Sequence, residues 1–192
     1  MSELDPATVA ACRRGDERAF RRLVDAHRQP VVALCVALAG ADGEDLAQET
    51  FVRVFRAIDR FDPGGPATLR SWILCIARRL CHDRARHLRR SPVVGGVTAD
   101  AVDPAASPIA SVLGAEASSR VARAFAALPD EQRAVLALRE WEGLDYQEIA
   151  VVEGVPVGTV RSRLARARDA LKAALGAGDD AAAVGGRRRA HA

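Results

Sequence analysis

Arg161, Arg163 and Arg166 fall within one six-residue stretch, with Ser162 and Ala165 between them and Thr159 just before. Guanidinium groups at that spacing can donate in pairs to guanine edges and to phosphate oxygens, the chemistry by which a helix reads a DNA major groove. At ~100° per residue, Ser162, Ala165 and Arg166 point outward, flanked by Arg161 and Arg163. Val160, Leu164, Ala167, Leu171 and Leu175 fall on the other side and must pack on the rest of the domain. The arginines sit on the first turns, the part of a recognition helix that enters the groove. Ala165 cannot hydrogen-bond and offers only an apolar contact, for example to a thymine methyl.

A second cationic set lies upstream. Arg79, His82, Arg86 and Arg89 recur at i, i+3, i+7 and i+10, with Arg78 and Arg90 beside them. This stripe lies opposite an apolar seam of Leu69, Ile73, Ile76 and Leu80. Trp72 shares the seam, which makes it core rather than a stacking platform. A third set has the opposite character: Asp45, Gln48, Glu49 and Val52 line one helical face, with Ala47, Phe51, Val54 and Ile58 on the other. An acidic and amide stripe beside an apolar residue suits docking on a basic partner helix, with electrostatics setting the register. It also suits an ordinary solvated face, and the residues alone favour that plainer reading.

Other reactive side chains form no constellation. Cys12, Cys35, Cys75 and Cys81 lack the C-x₂₋₄-C pairing of structural zinc sites and read as core or incidental thiols. His27, His82, His87 and His191 have no partner arrangement for acid–base work, and no nucleotide-binding, hydrolase or phosphate-loop motif occurs. No catalytic residue, metal or cofactor is assigned, so the chain reads as a binding protein and not an enzyme.

The elements that must hold these sets are helices. Asp5-Pro6 opens a short helix ending near Gly15, and Asp16 caps a second that runs towards Gly40, bent at Pro30. A third spans about Asp42 to Asp59, its apolar residues Ala47, Phe51, Val54, Phe55 and Ile58 recurring at helical spacing. The run Asp62-Pro63-Gly64-Gly65-Pro66 forces a loop before a fourth helix, about Thr68 to Arg90. Residues 91–115, with Pro92, Gly95, Gly96, Pro104 and Pro108, lack any sustained period and read as a flexible linker. Helices resume near Ala117–Leu128 and at Pro129-Asp130-Glu131. Gly143 stops the latter, and Asp145 with Glu148 makes a capping-box start for the next. After the turn Gly154-Val155-Pro156 a last helix runs from about Val157 to Leu175. The expected fold is all-α: two small helical domains, 1–90 and 116–176, with a disordered tail over 177–192.

Charge supports this division. The net charge of +3 hides ten arginines against three aspartates over 51–90, and five basic residues against one aspartate over 159–175. Between them, 120–158 carries seven acidic residues against four basic. Two cationic blocks in acidic surroundings suggest two contacts with a polyanion, against the plainer reading of two solvated helix faces. Of the 28 basic residues 27 are arginine, a bias that GC-rich codons also produce. No apolar run reaches the ~20 residues that span a bilayer, and Val31–Ala39 is too short and internal for a signal peptide. A cytoplasmic location is expected.

The stretches Leu128–Arg133, Glu142–Ala150 and Gly154–Arg168 resemble region 4 of the extracytoplasmic-function sigma factors, the small two-domain members of the sigma-70 family. That resemblance implies that Thr159, Arg161, Ser162, Arg163, Ala165 and Arg166 contact the −35 promoter element. Asp45–Arg56 is similar to region 2.2 of the family, implying that Asp45, Gln48, Glu49 and Val52 grip the coiled coil of the RNA polymerase β′ subunit. Ser71–Asp83 and the arginine-rich end resemble regions 2.3 and 2.4, which melt and read the −10 element. By position the contacts there are Arg78, Arg79, His82, Arg86, Arg89 and Arg90. Arg79 stands where the family often has asparagine, and the loop Asp62–Ala67 is unusually rich in Pro and Gly. The resemblance covers roughly residues 16–90 and 117–175. It implies a sigma factor whose partners are RNA polymerase core (β′ and β), promoter DNA and an anti-sigma factor. The alternatives are a free-standing helix-turn-helix regulator, for which no dimer element is found, and a metal-dependent nucleic-acid enzyme resting on Cys and His alone.

Overall fold

The computed structural model describes the backbone of residues 6–90 and 115–187, and the side chains of 6–90 and 119–176. All the regular elements among these residues are helical. The Asp5 cap, and the linker expected over 91–115 save its final residue, lie outside the described residues.

The first half comprises α1 (Pro6–Arg13), α2 (Glu17–Ala39), α3 (Gly43–Ala57) and α4 (Leu69–Arg90), with 3₁₀ turns at Gly40–Asp42 and Ile58–Arg60. Asp16 caps α2, its carboxylate accepting from the amides of Arg18 at 2.8 Å and Ala19 at 3.0 Å. Those amides, Ala19 foremost, hold the Asp16 carboxyl below its ordinary range. Pro30 lies buried inside α2. At Gly40 a φ of +58° ends the helix. Gly43 opens α3 where an added Cβ would meet the Val36 backbone at 2.5 and 2.6 Å, so a bare backbone is what lets α3 start against α2. Leu23, Val31, Leu34, Val54, Ile73 and Leu74 fill the core between α2, α3 and α4. Phe55 departs from expectation: it is 51% exposed and meets Phe20 edge-on at 5.0 Å. At ~100° per residue it lies about 70° from the middle of the Ala47–Phe51–Val54–Ile58 seam, on its rim.

The second half comprises α5 (Ala115–Ala126), α6 (Asp130–Glu140), α7 (Tyr146–Glu153) and α8 (Val157–Arg187). Asp145 and Glu148 form the expected reciprocal capping box. Gly154, at φ +64°, closes α7 in the left-handed conformation and turns the chain into α8. Val135, Leu138, Leu144, Ile149, Val160 and Leu164 make the core. The α8 backbone continues to Arg187, past the Leu175 end and into the expected tail.

The two halves do not stand apart. Helix α4 packs on α7 and α2 packs on α6, and one continuous set of buried residues runs through both. Nothing in the periodicity of either half signals that docking. No helix among the described residues is long and apolar enough to cross a membrane.

Candidate nucleic-acid interface

The turn at Gly154–Pro156 seats α8 so that Val160, Leu164 and Ala167 are buried against α6 and α7. Arg161, Ser162, Ala165 and Arg166 are exposed on the opposite face, and Thr159 is half-buried at the helix start. The Ser162 hydroxyl donates to the Thr159 carbonyl at 2.9 Å, a local bond that a rotation of the hydroxyl can exchange for a base or phosphate. Arg163 departs from this face. Its side chain is 17% exposed and pairs with Glu131 at 3.1 Å and Glu153 at 3.4 Å. On the wheel it lies about 70° from the middle of the packed side, which turns it into the cleft beside α7.

Helix α4 presents Arg79, His82, Arg86, Arg89 and Arg90 to solvent. Arg78 is instead buried, which corrects its expected place beside the stripe. Its Nε donates to Glu153 Oε1 at 2.7 Å and its Nη2 to Oε2 at 3.4 Å. Position 78 lies next to Ala77 on the side of α4 that docks on α7, and the Glu153 carboxylate compensates the charge there. Two further pairs join the halves: Arg70 Nη2 to Glu142 Oε2 at 2.6 Å, and Arg89 Nη1 to Asp130 Oδ2 at 3.0 Å. The sequence reading missed Glu142, Glu153 and Asp130 as partners. Their one visible signal was the acidic excess of 120–158 facing the basic 51–90 block.

The loop before α4 is held at both ends. The Arg13 guanidinium, from α1, donates to the carbonyls of Phe61 and Ile58. Asp62 Oδ1 accepts from the Gly64 amide at 2.9 Å, an Asx turn that fixes the Pro- and Gly-rich segment locally. Trp72 is half-buried with its ring 5.4 Å from that of Phe61, in keeping with a core role. Thr68 Oγ1 accepts from the Ser71 amide at 3.1 Å at the start of α4.

On α3, Asp45, Gln48 and Val52 are exposed, and Glu49, half-buried, pairs with Arg53 at 2.9 Å. With Val52 at 43% and Phe55 at 51% exposure, the acidic face has an apolar edge.

The four cysteines are free thiols. Cys35 and Cys81 meet between α2 and α4, where their hydrogen bond and burial push the Cys35 thiol far above its ordinary value. Burial likewise raises Cys75. Cys35 and Cys75, held protonated, are poor nucleophiles and poor metal ligands. Among the described residues no three His, Cys, Asp or Glu side chains gather as metal ligands.

A helix-turn-helix with an outward arginine face, joined to a helical unit bearing a cationic stripe and an acidic face, defines a two-domain DNA-binding protein. The sigma-70 region 2 profile matches residues 23–91 and the sigma-70, region 4 profile matches residues 118–171. The chain is 35% identical over 184 residues to the RNA polymerase sigma-H factor of Pseudomonas aeruginosa, covering 90% of this chain and 94% of that one. It is 37% identical over 170 residues to the ECF RNA polymerase sigma factor SigC of Mycobacterium tuberculosis, covering 87% and 89%. Two solved structures share the fold at a TM-score of 0.65: CnrH in complex with the cytosolic domain of CnrY (28% identity, 89% of this chain and 96% of that one), and RpoE of Bartonella quintana in complex with the anti-sigma factor NepR (26%, 81% and 96%). The chain belongs to the sigma-70 family, as an extracytoplasmic-function sigma factor. It is a non-enzymatic subunit that binds RNA polymerase core and promoter DNA and directs transcription initiation. The free-standing regulator and the metal-dependent enzyme fall with that finding.

Proposed function

We propose that Arg161, Ser162, Ala165 and Arg166, with Thr159 at the helix start, read the −35 element from the outward face of α8. The observation that carries this reading is that Arg161 and Arg166 are exposed and make no ion pair among the described residues, on a helix whose other side is fully packed. Arg163 joins them only after releasing its carboxylates. Arg79, His82, Arg86, Arg89 and Arg90 line the −10 strand along α4, with Arg78 as a further contact when Glu153 lets it go. Residues 1–90 then serve core binding and −10 melting, and residues 116–176 serve −35 recognition.

Asp45, Gln48, Glu49 and Val52 form the docking face for the β′ coiled coil, with Phe55 extending its apolar edge. The β subunit completes the holoenzyme. An anti-sigma factor is a fitting further partner, since NepR binds the structural relative RpoE. The setting is cytoplasmic, where the polymerase works.

The deciding experiment reverses charge on the docking face. Asp45→Arg with Glu49→Arg sets like charge against a basic coiled coil, which costs several kcal/mol, or on the order of a hundredfold or more in affinity. The helicity of the chain is expected to survive, because Asp45 is exposed and Glu49 makes only an exposed pair with Arg53. Loss of core binding and of run-off transcription with intact helicity supports the docking face; wild-type values for both reject it.

A further inference from the structure

We propose that Cys35 and Cys81 are a dithiol that hydroperoxides convert to a disulfide, cross-linking α2 to the helix that carries the cationic stripe. Neither thiol has a part in the binding surfaces. Both lie on the packed sides of their helices, 0% and 3% exposed, and their side chains share a hydrogen bond where α2 crosses α4. A disulfide needs side chains aimed at each other across a short gap. Two thiols already hydrogen-bonded across a helix contact meet that need, and a small approach brings them to the S–S bond length of ~2.03–2.05 Å. The other two cysteines have no such neighbour: Cys12 lies on α1 beside Asp16, and Cys75 faces the Val151 carbonyl at 4.0 Å.

The pair is also polarised. The shared hydrogen stays with Cys35, whose thiol the bond to Cys81 and burial push far above its ordinary value. The same bond, aided by the charge of Arg78 one turn away, outweighs burial and holds Cys81 below its own ordinary value. Thiolate character therefore collects on Cys81, the attacking sulfur, and Cys35 is placed to resolve it. Burial limits the reagent: a molecule the size of hydrogen peroxide enters by a small local opening that bulkier oxidants cannot use.

The chemistry balances in two steps. The Cys81 sulfur takes the nearer oxygen of the hydroperoxide as the O–O bond breaks. The far oxygen leaves as an alcohol, or as water from hydrogen peroxide, with the proton that Cys81 gave up. The Cys35 sulfur then attacks the sulfenic acid: the S–S bond forms, the S–O bond breaks, and the hydroxyl leaves as water with the Cys35 proton. Two thiols lose two electrons in all, and one hydroperoxide gains them. Because the resolving sulfur is already in contact, linkage outruns a second oxidation of Cys81. Closing the bond draws the sulfurs inward from hydrogen-bonding distance, so α4 shifts against α2 and carries Arg79, His82 and Arg86 with it. That consequence rests on the assignment of α4 as the −10 helix.

The test exposes the reduced full chain to hydrogen peroxide, removes the peroxide, and maps the thiols by mass spectrometry after proteolysis. Two of the four thiols are expected to disappear, with Cys35 and Cys81 recovered in one linked pair of peptides that dithiothreitol separates. Cys35→Ala is expected to abolish the link and to leave Cys81 as a sulfenic or sulfinic acid; if that variant fails to fold, the wild-type map decides alone. Four surviving thiols, oxidation of Cys81 without a link, or linkage through Cys12 or Cys75 would overturn the proposal. Run-off transcription with core then reads the effect on promoter opening, which the oxidised chain is expected to lose and dithiothreitol to restore. A linked chain as active as the reduced one overturns the shift of α4 and leaves the disulfide site standing. Arg86→Ala and Arg89→Ala in the reduced chain separate the underlying assignment: promoter opening indifferent to both rejects the −10 reading and not the dithiol.

Discussion

Truncating the three arginines of α8 one at a time gives effects that differ in kind, because only one of them is paired. Arg161 and Arg166 are exposed and make no ion pair among the described residues, so replacing either with Ala changes stability by no more than ~0.5 kcal/mol. Arg163 has two partners of unequal weight. Its pair with Glu131, which is 63% exposed, is screened and contributes ~0–1 kcal/mol. Its bond to Glu153 is sheltered but, at 3.4 Å, long, which places it near the low end of the ~1.5–3 kcal/mol typical of charged hydrogen bonds. Glu153 keeps Arg78, so no carboxylate is orphaned. Arg163→Ala should therefore cost ~1.5–2.5 kcal/mol, a fall of roughly 3–10 °C in Tm for a chain of this size. Thermal melts followed by circular dichroism read this directly.

Promoter binding by the holoenzyme should rank the same variants in the reverse order. Arg161→Ala or Arg166→Ala loses ~1–3 kcal/mol where the side chain makes a bidentate base contact, a fivefold to 150-fold drop. A side chain that touches only phosphate instead weakens all sequences alike and flattens the salt dependence by about one unit of slope. A wild-type melt for Arg163→Ala together with lowered melts for the other two would mean that α8 is rotated about its axis. Unchanged −35-dependent binding in all three would refute the recognition helix itself.

Two more outcomes follow from the packing of the first half. Gly43→Ala places a Cβ 2.5–2.9 Å from the backbone of Cys35 and Val36, an overpacking of about 1–3 kcal/mol that should lower the urea midpoint at constant m; a wild-type midpoint would deny the close approach of α3 to α2. His27 is buried with neither ring nitrogen hydrogen-bonded, and burial first, then Arg70, lowers its pKa below 6.5. The unfolded chain takes up a proton below that value and the folded chain resists it, so stability is full above pH 6.5 and falls as pH drops below it. The difference in urea midpoint between wild type and His27→Leu should therefore change across that window; a constant difference would count against the buried neutral imidazole.

Much of the site was legible because it is written in local periodicity. The outward face of α8, its packed side and the Asp145–Glu148 capping box are consequences of residue order within one or two turns. The face of α3 proposed for docking is equally local: Asp45, Gln48 and Val52 are exposed because Ala47, Phe51 and Val54 are not. Phe55 and Arg163 went astray for a shared reason. Each sits on the rim of its helix's packed side, where the wheel angle decides nothing and the neighbouring element decides everything.

What lay beyond the sequence is what crosses from one half to the other. Arg78 reads as one more member of a cationic stripe until α7 is laid against α4, and Glu153 reads as an unremarked last residue of its helix. No local rule pairs residues 75 positions apart, yet they meet at 2.7 Å. The same holds for Cys35 and Cys81, whose contact depends on how α2 and α4 cross and not on the spacing of thiols along the chain. Charge arithmetic came nearest, since an acidic segment between two basic ones must put its carboxylates somewhere. They could face water, a partner protein, or the arginines of the same chain. For Asp130, Glu142 and Glu153 the structure selects the third, and the choice has a physical consequence. An arginine that is already satisfied by a buried carboxylate is not available to a phosphate at no cost.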